Sequence, residues 1–156
     1  MAVKRIPKGY HAITPSLIVK DPAKAIDFYR KIFGAKQEAR LDMPDGTIAH
    51  AEIAIGDSRL MLGPESPQWG TKSPQTLGGS PVTIHLYVRD VDKVVGSAVD
   101  AGAKVLMPVA DQFYGDRSGR IADPFGHVWI ISTHKEDLSK REVKKRMAAW
   151  AKQQGQ

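Results

Sequence analysis

The sequence contains no cysteine among its 156 residues. Disulfide bonds, thiolate metal sites, iron-sulfur clusters and cysteine nucleophiles are therefore excluded, and any metal would have to be held by His, Asp or Glu. No apolar run approaches the roughly 18 residues that a membrane-spanning helix needs. The basic residues at the N-terminus are followed by neither an apolar stretch nor a small-residue cleavage site. We therefore expect no signal peptide, no membrane partner and a cytoplasmic location.

Aromatic residues are also few, at 7%, whereas hydrophobic residues make up 42% of the chain and charged residues 26%. This composition is typical of a soluble globular protein and not of a disordered one. The length suits one domain with a sizeable core. We therefore expect a single domain over residues 1–156.

The net charge of +6 is concentrated near the two ends of the chain. Three basic residues fall within the first eight positions, and residues 135–156 hold seven basic residues against three acidic ones. No motif of a nucleic-acid-binding module accompanies these charges. We therefore expect solvated basic surfaces and no nucleic-acid partner.

An internal repeat predicts the architecture of the chain. The segment Leu17–Asp21 recurs as Leu86–Asp90, and each copy ends in an aspartate suited to cap a following helix. Both predicted helices are followed by Gly-Ala-Lys, at Gly34–Lys36 and Gly102–Lys104. Alternating patterns after each helix predict three strands, so each half has the order strand, helix, strand, strand, strand.

Two such halves predict an α+β fold in which two βαβββ modules form a curved mixed sheet. Module one covers about residues 10–63 and module two about residues 82–134. A linker rich in proline and glycine, residues 64–81, joins them. A basic helix is predicted at about residues 136–153.

The repeat, together with Asp123–His127 before the last strand, resembles the vicinal oxygen chelate superfamily of glyoxalases, bleomycin-resistance proteins, fosfomycin-resistance enzymes and extradiol dioxygenases. The resemblance spans roughly residues 10–135. The segments Met43–Gly46, Gly115–Gly119 and Thr133–Asp137 look like its PhnB-type, glyoxalase-related branch. The fold that this resemblance implies is the glyoxalase-like fold, whose members include both enzymes and binding proteins.

The resemblance also implies where a metal would be bound. The ligand positions of the metal-dependent members fall here on Thr14, Met61, Thr83 and Ile130, and none of these side chains is an imidazole or a carboxylate. We therefore expect no metal and predict no cofactor.

The remaining polar side chains on the first strand of each module predict a ligand-binding cup. Residues two apart on a strand share a face, so Thr83, His85 and Tyr87 face the same side. Thr14 lies at the corresponding position of module one. We predict that these four residues contact a small polar or aromatic ligand.

His50 and Glu52 share a face of the third strand. Such a pair can be an acid and base, a part of a displaced metal site, or an ordinary hydrogen-bonded pair in a sheet. His85, His50 and Glu52 are the candidate catalytic residues, with no reaction assigned. A metal-dependent lyase or isomerase that uses these three as relocated ligands is the alternative function.

The loop 112–119 combines two aromatic residues, an arginine and glycines. This composition suits a loop that closes over a ligand, and it suits equally a hairpin in which Arg117 pairs with Asp116. We include Tyr114 and Arg117 among the predicted ligand contacts, and Trp69 in the linker is a further candidate pocket wall.

The predicted C-terminal helix carries Val143, Met147 and Trp150 on one stripe among lysines and arginines. We expect this stripe to pack on its own domain or on a second subunit, and a protein-interaction module that uses it is a third hypothesis. The resemblance implies a homodimer, because its members commonly build the site between modules of two chains. The leading prediction is a metal-free, small-molecule-binding protein.

Overall fold

The computed structural model describes residues 3–155, which form two compact units. The first unit comprises the described residues up to Ser80 together with Phe125–His127, and the second comprises Pro81–Pro124 and the described residues from Val128 onward. Each unit contains a four-stranded mixed sheet with the same connectivity. The predicted α+β class, the two βαβββ modules and the C-terminal helix are confirmed.

The first unit follows the predicted order of elements. Its sheet order is β1-β4-β3-β2, with β1 parallel to β4 and the other neighbours antiparallel. Its elements are β1 (Ser16–Val19), α1 (Pro22–Phe33), β2 (Lys36–Asp42), β3 (Ile48–Ile55), β4 (Ser58–Pro64), a 3-10 helix (Pro67–Trp69) and α2 (Pro74–Leu77).

Helix α1 begins and ends where the sequence predicts. The Asp21 side chain accepts a hydrogen bond from the Lys24 backbone N–H at 3.1 Å, Pro22 fills the first helical position, and Gly34 ends the helix in the left-handed conformation at a φ of 67°. The helix buries Ile26, Tyr29 and other apolar side chains. These pack against the buried, alternate residues of the strands, which leaves the opposite face of the sheet free for a site.

The turn Phe125–His127 belongs to the core of the first unit. The Phe125 ring lies edge-on to Phe28 and Tyr29, with centroids 6.0 and 6.1 Å away. His127 Nε2 lies 2.9 Å from the Ile18 carbonyl oxygen, which can only accept, so this nitrogen donates. His127 therefore has the structural role that its turn position suggests.

The second unit repeats the arrangement with the sheet order β5-β8-β7-β6. The Val91, Val95 and Ala98 side chains of its first helix are buried, and Trp129 donates a hydrogen bond to Asp123 at 2.9 Å. Its elements are β5 (Thr83–Tyr87), α3 (Val91–Asp100), β6 (Lys104–Asp111), β7 (Asp116–Ala122), β8 (Val128–His134) and α4 (Lys140–Gln154).

The C-terminal helix begins later than predicted, at Lys140 instead of about residue 136. The Ser139 hydroxyl accepts a hydrogen bond from the Glu142 backbone N–H at 3.2 Å and so caps the helix. The preceding backbone is bound to another partner, because the Lys135 and Glu136 N–H groups both donate to the Gly115 carbonyl at 3.0 Å. No helix among residues 3–155 has both the length and the apolar character needed to span a bilayer.

Candidate functional site

The first unit contains a cavity of about 960 Å³. This volume lies at the upper end of the range of ligand pockets. The cavity borders the face of the sheet that points away from α1, where alternate residues of β1 and β3 are exposed to it. The lining residues that matter below are Ser16, Ile18, Lys20, Arg40, His50 and Trp69.

Gly63 in β4 lines the bottom of this cavity and, as a glycine, places no side chain in it. It is paired with Ile18 of β1, and the antiparallel register of β3 and β4 brings it beside His50. A Cβ atom at Gly63 would have the Ala49 carbonyl oxygen at 3.8 Å and Ile18 Cδ1 at 3.9 Å as its nearest neighbours. The space above Gly63 is therefore open, and any larger side chain there would enter the cavity.

His50 is held by a hydrogen-bonded chain that leads away from the cavity. Its Nε2 lies 3.3 Å from Glu52 Oε1, and the Tyr10 hydroxyl donates to Glu52 Oε2. Arg59 fixes the N-terminal segment, since its Nε donates to the Gly9 carbonyl at 2.7 Å and its guanidinium lies 4.8 Å from the centre of the Tyr10 ring. The predicted His50 and Glu52 pair thus exists as a contact, and Tyr10 is an additional member that the sequence pattern did not indicate.

The charged groups around the cavity are mostly paired. Arg40 Nε donates to Asp42 at 2.7 Å. Glu65 accepts hydrogen bonds from the Ser73 hydroxyl at 2.6 Å and the Ser73 N–H at 2.8 Å, and these bonds lower the pKa of Glu65 to about 2. Lys20 also lines the cavity, and its positive charge acts on the Glu65 carboxylate as a further cause of the lowered pKa. The cavity therefore presents little uncompensated charge.

Two sequence-predicted residues are placed differently with respect to this cavity. Trp69 lines it, and its side chain is 81% exposed, so the indole is available to a ligand. Thr14 does not line it. It precedes β1, which begins at Ser16 because the residue between them is Pro15, which has no N–H for the sheet ladder.

The second unit brings the predicted residues His85 and Tyr87 together on one face of its sheet. The His85 and Tyr87 rings are stacked, with centroids 4.7 Å apart and planes 13° from parallel. His85 Nε2 lies 2.7 Å from the Ser132 hydroxyl. On the same sheet, Arg120 donates to the Thr83 hydroxyl at 3.4 Å.

A chain of hydrogen bonds extends from Tyr87 along this sheet. The Tyr87 hydroxyl donates to Asp116 at 2.9 Å, and this bond is the largest cause of a raised pKa of Tyr87. Asp116 also lies 2.7 Å from His134 Nδ1, and Asp137 lies 2.9 Å from His134 Nε2. The Asp116 bond, followed by the Asp137 bond, raises the pKa of His134. Tyr87 is therefore a neutral phenol whose hydroxyl proton forms the hydrogen bond to Asp116.

Sequence reasoning missed Asp116, Ser132 and His134 as members of this face. A hairpin that pairs Asp116 with Arg117 was one of the two alternatives for this loop, but the Asp116 side chain is buried and bonds to β5 and β8. The available signal was the period of two, which places Asp116 with Ser118 on β7 and Ser132 with His134 on β8. Ser118 lies 3.3 Å from the Tyr114 hydroxyl, so the predicted Tyr114 borders the same face.

Arg117 does not join these residues. Alternation along β7 places its side chain on the opposite side from Asp116 and Ser118. Its Nε and Nη2 donate to the two carboxylate oxygens of Asp92 at 2.8 Å, and Nη1 donates to Asp111 at 3.2 Å. These pairs raise the pKa of Arg117 and lower that of Asp92. The hairpin alternative in which Arg117 pairs with Asp116 is therefore wrong, since the guanidinium links α3 to the end of β6.

Comparison with known proteins assigns the family. The model of the Glyoxalase/Bleomycin resistance protein/Dioxygenase superfamily matches residues 10–131. The chain belongs to this superfamily. The protein Mb0911c of Mycobacterium bovis, which is uncharacterized, is 44% identical over 141 residues, or 88% of this chain and 93% of that protein.

Two solved structures share the fold of this chain. The Arabidopsis thaliana gene product At5g48480 is 27% identical and superposes with a TM-score of 0.65 over 79% of this chain and 98% of its own. The PhnB protein of Bacillus cereus superposes with a TM-score of 0.63 over 79% of this chain and 99% of its own. At 18% identity this second likeness concerns the fold alone.

The metal positions of the superfamily do not fit a metal in this chain. Met61 offers a thioether and Ile130 a hydrocarbon side chain, and the Thr83 hydroxyl accepts from Arg120. Glu52 lies directly across from Met61, and His85 directly across from Ile130, so the relocated candidates are neighbours of the substituted positions. Within residues 3–155 the structure holds no group of three His, Asp or Glu side chains that could together hold a metal ion.

Proposed function

We propose that this member of the superfamily binds a small polar or aromatic molecule in the cavity of its first unit, without the metal of its metal-dependent relatives. The observation that carries the proposal is the cavity of about 960 Å³ and its lining. Its apolar walls can bury the body of a ligand, and Ser16, His50 and Lys20 can orient polar atoms. Thr14, Met61, Thr83 and Ile130 occupy the positions that hold the metal ligands in metal-dependent relatives, and the chemistry of these four side chains supports a metal-free site.

The polar face around His85 in the second unit is a separate candidate ligand-contact surface. Stacked rings and hydroxyl groups at His85, Tyr87, Tyr114 and Thr83 suit a ligand that carries both an aromatic and a polar part. We propose a homodimer located in the cytoplasm as the working form. Support for a second copy comes from large side chains that are exposed in the single chain, such as Tyr87 and Trp150.

A ligand screen with a blocked variant tests the binding proposal. Gly63→Val adds a side chain to the cavity floor, where no atom lies nearer than 3.8 Å to the new Cβ, so the fold should tolerate it. We expect compounds that raise the melting temperature of the wild-type protein to lose this effect on Gly63→Val. Hits that stabilise both proteins equally would contradict binding at this cavity.

Elemental analysis tests the metal-free form. We expect no stoichiometric ion on untagged protein after incubation with Mn, Fe(II), Co, Ni or Zn and removal of the excess. About one tightly held ion per chain would contradict this expectation and favour the metal-dependent lyase or isomerase with relocated ligands. His50→Ala and Glu52→Gln would then abolish the uptake.

A further inference from the structure

The hydrogen bonds of His50 determine which of its nitrogens carries the proton. Glu52 is a carboxylate, which can only accept, and it already accepts from the Tyr10 hydroxyl. His50 Nε2, 3.3 Å from Glu52, must therefore be the donor. In a neutral imidazole the other nitrogen, Nδ1, then carries the lone pair and can only accept a hydrogen bond.

The surroundings of His50 restrict the ligand that this acceptor can bind. His50 lines the cavity, and the missing side chain at Gly63 leaves open space beside it. Arg40 is paired with Asp42, and the positive charge of Lys20 acts on the Glu65 carboxylate, so these lining charges compensate one another and do not favour an ionic ligand. The exposed indole of Trp69 on the same cavity offers a flat apolar surface.

From this geometry we infer that the cavity selects planar, uncharged ligands that donate an O–H or N–H hydrogen bond to His50 Nδ1. Glu52 and Tyr10 act as positioning residues that fix the tautomer of His50. This inference rests on the proposed function, because it names the chemical class of the molecule bound at the same site.

A matched pair of probes tests the inference. The compound 4-acetamidophenol donates a phenolic hydrogen bond, whereas its O-methyl ether has the same ring and amide without that donor. We expect the phenol to bind the wild-type protein roughly tenfold more tightly than the ether, the worth of one good hydrogen bond. Titration calorimetry gives both dissociation constants.

Variants separate the roles of the residues. His50→Phe keeps a ring but removes the acceptor, so we expect the two probes to bind equally. Glu52→Gln and Tyr10→Phe should reduce the preference, and long-range proton-nitrogen NMR spectra should show loss of the single Nε2–H tautomer of His50. His11→Gln, which replaces an exposed histidine outside the cavity, should retain the tenfold preference.

The outcomes distinguish this inference from the proposed function. Equal binding of both probes to the wild type, or an unchanged preference in His50→Phe, would overturn the inference while leaving binding in the cavity intact. An Nδ1–H tautomer of His50 in the wild-type spectrum would also overturn it, as would failure of the phenol to bind. The proposed function itself fails only if no compound in the screen distinguishes the wild type from Gly63→Val.

Discussion

At the scale of the residue, His134 shows how one side chain can connect two parts of the second unit. Its two nitrogens lie 2.7 Å from Asp116 in β7 and 2.9 Å from Asp137 beyond β8. Both nitrogens can donate at once only when the imidazole is protonated, which agrees with the raised pKa of His134. Protonation of this one residue therefore ties the segment that leads to α4 to the sheet.

This pairing predicts a pH dependence of stability. Because the pKa of His134 is raised above its ordinary value of 6.5 in the folded state, its stabilising contribution is complete below about pH 6.5 and is lost as the pH rises through the folded-state pKa. We expect His134→Gln to lower the melting temperature more at pH 6 than at pH 9. Thermal unfolding followed by circular dichroism at both pH values measures the difference. A deficit that is equal at the two pH values would contradict the ion pairs.

Prediction of single residues succeeded where alternation along one strand decided which face a side chain occupies, and it failed where a partner distant in the sequence decided the contact. His85 and Tyr87 were placed on one face correctly, because alternation along a strand is local. Tyr10 was missed because it lies 42 residues from Glu52 in the sequence. The alternative in which Arg117 pairs with Asp116 was wrong, because its partner Asp92 lies 25 residues away on α3.

At the scale of the element, the two halves use the same device to start their first helix. The Asp21 and Asp90 carboxylates each accept from the backbone N–H three residues later, both at 3.1 Å. This contact satisfies an N–H group that has no partner inside the helix. The repeated aspartate is therefore a structural signal, and it need not be part of the site.

Removal of the second cap gives a prediction for α3. Asp90→Ala should lower the free energy of unfolding by about 1 kcal/mol, because the Lys93 N–H loses its acceptor. Chemical denaturation measures the change. Asp100→Ala, at the other end of the same helix, is the matched control and should change stability by less than about 0.5 kcal/mol. Equal effects of the two substitutions would argue against the capping role.

The start of α4 was predicted about four residues too early, although the sequence contains the correct signal. Ser139 followed by Glu142 is the pattern of a helix capping box, and the structure uses Ser139 as the cap. Backbone bonds from the segment before Ser139 to Gly115 in the loop before β7 decided the boundary, and these depend on the folded sheet.

At the scale of the whole molecule, α4 contributes little to the core. None of its residues is buried, and its contacts with the rest of the second unit include the Trp150 and Phe113 rings, 5.5 Å apart, and an ion pair between Arg146 and Glu136 at 2.9 Å. Met147 and Trp150 remain 53% and 44% exposed. A basic helix with an exposed apolar stripe suits association with another surface.

Truncation tests this view of α4. A chain that ends at Leu138 should remain folded, with a melting temperature within a few degrees of the wild type, because no buried residue is removed. Light scattering should show that the proposed dimer dissociates. An unfolded truncated chain would contradict the peripheral packing, and a persisting dimer would contradict the role of α4 in self-association. Trp150→Ala should weaken the dimer, whereas Lys145→Ala, at an exposed position on the same helix, should not.

The sequence by itself determined the repeated βαβββ order, the helix caps and the face of each strand, because all of these depend on contacts within a few residues or on periodicity. It also determined that Met61 and Ile130 cannot supply the oxygen or nitrogen ligands of a metal. Only the tertiary structure showed that Gly63 of β4 lies beside His50 of β3. It also decided that Asp116 faces Tyr87. These relations depend on the register between strands that are distant in sequence, and a shift of one residue would turn each side chain to the other face.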